Sequence, residues 1–114
     1  MDSTHPHAPS VEVLVFDGCP NVVLAIERVQ AAADSIGMQS VEAKVVRIRD
    51  TDEAHALRFL GSPSVRVNGR DVEPDTDEKT SFGLQCRVYE LNGELHRAPP
   101  VTVIVAALMR ALRA

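Results

Sequence analysis

The chain carries two cysteines, Cys19 and Cys86, and they are its strongest candidates for chemistry. Cys19 lies in the run Phe16-Asp17-Gly18-Cys19-Pro20-Asn21, where a β-rich pattern gives way to a helical one. The thiolate is the reactive form of cysteine. The first N–H groups of a helix have no partner within the helix, and with the helix dipole they favour a negative charge. Cys19 at a helix start is therefore expected to act as a nucleophile. Asp17 opposes this if its carboxylate faces the thiol. Cys86 is the second thiol, with Arg87 beside it expected to steady a thiolate. Cys86 also fits plain packing between Leu84 and Val88, since free cysteine is commonly buried. If the two thiolates converge, they suit a soft ion such as Hg(II) or Cu(I), with Tyr89 and His96 as further lining. A structural zinc site is not expected, because two cysteines do not supply four ligands and neither His55 nor His96 shows zinc-finger spacing. No cofactor is expected: Gly61-Ser62-Pro63 lacks the spacing and the lysine of a phosphate loop.

The elements that position these residues follow from periodicity. Val11 to Phe16 is apolar almost throughout, as a central strand is, and Asp17-Gly18 breaks it. Pro20 suits the first turn of a helix. Val22, Ile26, Val29, Ala33 and Ile36 give that helix its apolar face, and Gly37 is placed to cap it. Val41 to Ile48 reads as a second strand. Asp50 with Glu53 forms a capping pattern for a second helix, with Ala54, Leu57, Phe59 and Leu60 on its apolar side and Gly61 closing it. A right-handed crossover makes the first two strands parallel neighbours. Ser64 to Val67 is the third strand, Asn68-Gly69 a two-residue hairpin turn, and Arg70 to Glu73 the return, ended by Pro74. Residues 75–99 break the rhythm and contain a second Asn-Gly pair, Asn92-Gly93, which suits a small hairpin or a loop wrapped over the domain. After Pro99-Pro100, Val101 to Leu112 reads as a last helix.

With 114 residues, one domain is expected, 11–114, preceded by a disordered tail over 1–10 that holds His5, Pro6, His7 and Pro9. Apolar residues make up 45% of the chain, enough for a core without disulfide or metal staples. A net charge of -4 argues against a nucleic-acid surface, and Lys44, Arg47 and Arg49 are too short a basic run to restore one. Aromatics for base stacking are few: Phe16, Phe59, Phe82 and Tyr89. No apolar stretch approaches the roughly 20 residues of a membrane span. Without a signal-peptide pattern at Met1 to Ser10, the cytosol is the expected compartment, where a structural disulfide is disfavoured.

In element order, in the turn Phe16-Asp17-Gly18-Cys19-Pro20-Asn21 and in the segment Gly61-Ser62-Pro63-Ser64-Val65-Arg66-Val67-Asn68-Gly69, the chain resembles the thioredoxin-like superfamily. Within it the chain is nearest to the compact glutaredoxin type and to a small F-D-G-C-P-N group in which selenocysteine sometimes replaces the cysteine. The resemblance covers residues 11–73 and 100–113. It implies an α/β fold, a βαβαββα three-layer sandwich with a mixed four-stranded sheet, here with an insertion at 75–99 before the last helix. It also implies a cis peptide at Ser62-Pro63 facing Cys19. Ser62 and Pro63, with Pro20 and Asn21, would then shape the groove where a small thiol compound or a protein disulfide binds. The implied activity is thiol–disulfide exchange. The sequence departs from the dithiol pattern at Val22, which stands where a second cysteine would be. Cys19 is then resolved by an external thiol or by Cys86. The missing cysteine also matches a domain that has lost catalysis and serves as a binding module.

Overall fold

The computed structural model describes residues 8–113, so the expected tail lies largely outside the described residues. The order is β1 (Val11–Val15), α1 (Val22–Ser35), β2 (Ala43–Arg47), α2 (Thr51–Ala56), β3 (Ser64–Val67), β4 (Arg70–Asp71), β5 (Tyr89–Leu91), β6 (Glu94–His96) and α3 (Val101–Arg113). Four strands form one mixed sheet in the order β2-β1-β3-β4. β1 runs parallel to β2, with Val13 beside Val45, and antiparallel to β3, with Leu14 beside Ser64. Ser10, at the end of the expected tail, is pinned. Its N–H donates to Asn68 Oδ1 at 2.8 Å, and its carbonyl accepts from Asn68 N at 2.7 Å.

Alternation along β1 divides the core. Val11, Val13 and Val15 point to the face covered by α1 and α3, where they pack with Ala25, Val29, Ala32, Ile104 and Leu108. Leu14 points to the other face and packs with Ile48, Ala54 and Phe59, beneath α2. Fully burying each such valine or leucine contributes about 1.5–3 kcal/mol. The sheet is thus sandwiched between two helices and one.

Local signals set the element ends. Gly37, at φ 75°, lets the chain leave α1 while Met38 N–H donates to Ala33 O at 2.8 Å and Gly37 N–H to Asp34 O at 3.1 Å. Asp50 caps α2 by accepting from Glu53 N at 2.8 Å, and the Glu53 carboxylate in turn accepts from Arg49 N at 2.7 Å. The expected second helix is too long, however. α2 stops at Ala56 because Arg58 takes a left-handed φ of 54°, and Phe59 N–H closes on Ala54 O at 2.8 Å. This turn buries Phe59 completely without extending the helix. The Asn68-Gly69 hairpin forms with both residues at positive φ, and Asn92-Gly93 does the same between β5 and β6. Residues 75–99 are therefore partly a hairpin. Just before it the chain makes one parallel bridge, Ser62 to Cys86, onto the start of β3.

Candidate functional site

Strand direction gathers the candidate residues. Leu14 lies opposite Ser64, so the chain beyond β1 and the chain before β3 leave from the same end of the sheet. Cys19 follows β1 at that end, and Ser62-Pro63, a cis peptide, precedes β3 there. The bridge from Ser62 brings Cys86 to the same end. Both thiols are free; Cys19 is half-buried and Cys86 exposed.

The Cys19 turn is open and lightly bonded. Cys19 N–H donates to Phe16 O at 3.2 Å, and Gly18 takes φ 89°. Pro20 is exposed and Asn21 half-buried. Asn21 is the N-cap of α1 and makes no side-chain capping bond. Pro20 therefore precedes the helix, outside its first turn, and Cys19 stands two residues ahead of the N-cap. A helix-end charge effect falls off within the first turn, so it reaches Cys19 less than its sequence position suggests. Asp17 turns outward instead of toward the thiol: its side chain is 87% exposed and pairs with Arg47 at 2.7 Å.

On the other side of Ser62, residues 84–89 form a strap whose pattern is inverted. Leu84, Cys86 and Val88 face solvent, while Arg87 and Tyr89 are buried. Neighbours on an extended chain point to opposite sides, so Arg87 turns away from Cys86. Arg87 donates to Asp71 through two bonds of 2.6 and 3.0 Å, to Glu73 at 3.0 Å and to Ser64 Oγ at 2.9 Å. Its guanidinium also sits 4.4 Å over the Tyr89 ring. Burial opposes this charge, but the bonds to Asp71 and Glu73 outweigh it and hold the pKa above the ordinary arginine value. The expected thiolate-steadying role of Arg87 is thus replaced by an inward latch. Cys86 does not pack between Leu84 and Val88, which are 43% and 56% exposed. Tyr89, expected as site lining, is buried and donates its hydroxyl to Pro63 O at 2.6 Å. His96 Nε2 lies 3.8 Å from Glu94 Oε1.

The strap also occupies the backbone beside Pro63. Ser62 N–H donates to Gln85 O at 2.8 Å, and Ser62 O accepts from Arg87 N at 2.9 Å. Ser62 is fully buried, and its Oγ has no hydrogen-bond partner. Gly61 is essential to this approach. Its φ is 125°, and a methyl group there would lie 3.0 Å from Arg87 Cβ and 3.1 Å from Gln85 O.

Two cavities open beside the insertion. One, of about 660 Å³, is lined by Glu73, Lys79, Cys86, Val88 and Glu90 among others. The larger, about 1100 Å³, has Arg58, Arg66, Arg70 and Arg110 in its walls. Three of these arginines act as clamps to carbonyls: Arg66 to Leu57 and Arg58, Arg58 to Asp77, and Arg110 to Val72. Burial lowers the Arg66 pKa, with Asp71 and Glu12 opposing the shift. Cys19, Pro20 and Asn21 line neither cavity. Among the described residues, no group of three or more His, Cys, Asp or Glu side chains is placed to hold a metal ion. No described helix is long and apolar enough to cross a membrane.

Fold and site together define an α/β domain with a thiol-bearing turn and a latched strap at one end of a mixed sheet. Comparison with protein-family models, with curated proteins and with solved structures finds no match.

Proposed function

We propose that this chain is a thioredoxin-like thiol protein acting in thiol–disulfide exchange, with Cys19 as its nucleophile. The observation that carries the reading is the placement of a half-buried free thiol, in an open turn after central strand β1, at the sheet end where Ser62-Pro63 enters β3. The sheet order β2-β1-β3-β4, with β1 and β2 parallel, supports the family reading.

The Cys19 thiolate attacks one sulfur of a substrate disulfide. A Cys19–substrate disulfide forms, the original S–S bond breaks, and the other half leaves as a thiolate that takes up a proton. An external thiolate then attacks the substrate sulfur of that mixed disulfide and returns Cys19 as a thiolate. Cys86 as resolver would instead attack the Cys19 sulfur, release the substrate half as a thiolate and leave a Cys19–Cys86 disulfide for an external thiol to reduce. Val22 removes a local partner. Cys86 is held in the strap through Gln85 O and Arg87 N, which favours an external small thiol for the second step.

The test is incubation with cystamine, followed by intact mass and by turnover in the presence of a reduced small thiol. One cysteamine is expected on Cys19 in the wild type and in Cys86→Ser, with none in Cys19→Ser and turnover abolished there. Label on Cys86 alone, or turnover that survives Cys19→Ser, rejects the reading. A slower second step in Cys86→Ser would assign resolution to Cys86 instead of the external thiol.

A further inference from the structure

We propose that the 84–89 strap sets the substrate class of the Cys19 site, excluding extended peptides and leaving it to small disulfides. The inference rests on the reading of Cys19 as nucleophile and concerns what can approach it.

An extended peptide is recognised at a sheet end or edge by main-chain hydrogen bonds to unpaired donors and acceptors. To bring a disulfide sulfur to Cys19, such a peptide must lie across the end where β1 stops and β3 begins. The carbonyls leading into β3, and the Ser62 N–H, are already taken. Leu60 O accepts from the Gln85 side-chain amide at 3.3 Å. Gly61 O accepts from Ser64 Oγ at 2.6 Å. Ser62 N–H and O are paired with Gln85 O and Arg87 N at 2.8 and 2.9 Å. Pro63 has no N–H, and its carbonyl accepts from the Tyr89 hydroxyl at 2.6 Å. Each of the four carbonyls from Leu60 to Pro63 therefore has a partner, and three of the four partners belong to the strap.

The strap is also costly to move. Arg87 and Asp71 have side chains only 6% and 8% exposed, and lifting the strap separates that buried pair. Tyr89 leaves the core in the same motion. Gly61 lets the strap approach to a distance that a methyl group would obstruct. A small disulfide needs no main-chain pairing, and the Cys19 turn, with Pro20 exposed, leaves it an approach from solvent.

The experiment compares two substrates with the same leaving thiol on the full chain: cystamine, and a mixed disulfide of cysteamine with a cysteine at the centre of an extended peptide. Wild type is expected to turn over cystamine with a kcat/KM at least about tenfold higher, a difference of about 1.4 kcal/mol. Arg87→Ala should narrow that ratio. Should that variant fail to fold, Tyr89→Phe, which keeps the ring, should narrow it in the same direction. In a second arm, hydrogen exchange of the Ser62 and Arg87 amides is followed with and without the peptide, and both should stay slow. Equal kcat/KM for the two substrates, or loss of amide protection on adding peptide, overturns the proposal. Turnover of neither substrate rejects Cys19 as nucleophile, and the exchange arm then decides by itself whether a peptide displaces the strap.

Discussion

The turn that carries Cys19 and the strap that carries Cys86 lie at the same end of the sheet and are built on opposite terms. The turn has one backbone bond of 3.2 Å at Cys19, an outward surface ion pair at Asp17 and no side-chain cap at Asn21. The strap has a buried arginine with four hydrogen bonds, a buried tyrosine bonded to Pro63, and a glycine contact at Gly61. Stability is not uniform across a fold, and segments with few buried contacts open most easily. The contrast indicates that the polar stabilisation at this end holds the strap in place, while the thiol sits where a partner can reach it with little rearrangement.

The strongest way to break the comparison is to remove the latch. Arg87→Met leaves Asp71 buried without its partner, and breaking a buried pair costs about 3–5 kcal/mol. The unfolding free energy should fall by that amount, seen as a lower urea midpoint with little change in slope. Pairing the change with Asp71→Asn should recover part of the loss, because the unpaired charge is then gone. A shift under about 1 kcal/mol in Arg87→Met would mean that the strap is held by something other than this pair.

A matched glycine pair sharpens the contrast. Gly61→Ala adds a Cβ at φ 125° within 3.0–3.1 Å of the strap, so backbone strain and overpacking combine to about 3 kcal/mol. Gly18→Ala adds one at φ 89° with nothing within 4 Å, and only the backbone penalty of about 1–2 kcal/mol remains. Thermal or urea unfolding of the two variants should preserve that order. Equal losses would mean that the strap does not press on Gly61.

Tyr89 gives the comparison a pH signature. Burial raises its pKa above the ordinary phenol value, although Arg87 opposes the shift. Below about pH 10 the phenol is protonated in both folded and unfolded chains. Above it only the unfolded chain releases the proton, so stability falls by about 1.4 kcal/mol per pH unit as pH rises. Tyr89 is the only tyrosine in a chain without tryptophan, so phenolate absorbance reports it directly. That absorbance should appear together with unfolding and not before. Tyr89→Phe should lose about 1 kcal/mol at neutral pH, from the hydroxyl bond to Pro63, and show a shallower alkaline decline.

Most of the fold was legible because its signals are local. Asn68-Gly69 marked a hairpin, Asn92-Gly93 left a hairpin and a wrapped loop both open, Gly37 marked the end of α1, and Asp50 with Glu53 marked the start of α2. The end of α2 was not legible. Leu57, Phe59 and Leu60 continue a helical apolar period, and the break comes from Arg58, a residue with no compositional reason to take positive φ. At the site, it was the family resemblance that implied Ser62-Pro63 facing Cys19, while the residue pattern misread the strap. Leu84, Cys86 and Val88 look like a buried face, and Arg87 looks like the exposed one. The reversal depends on Asp71 and Glu73, partners supplied by β4 and the residues just after it, which only the tertiary fold brings beneath Arg87. The acidic residues of that return, Arg70 to Glu73, were the available hint: a buried arginine needs carboxylates, and Asp71 stands on the strand next to β3 with Glu73 just beyond it.

The smallest expected effect lies in the turn itself. Asp17 and Arg47 approach to 2.7 Å, but their side chains are 87% and 67% exposed, so solvent screens the pair and its contribution is about 0–1 kcal/mol. Asp17→Asn should barely move the unfolding midpoint. It does remove a carboxylate two residues from Cys19, and a nearby negative charge disfavours a thiolate. The measurement is the rate of Cys19 alkylation at neutral pH in a Cys86→Ser background. It should rise modestly in Asp17→Asn at low salt, and the difference should shrink as salt is added, because exposed charges are screened. A large loss of stability in Asp17→Asn would show that the turn is braced after all. The contrast between an open turn and a latched strap would then fail at its weaker end.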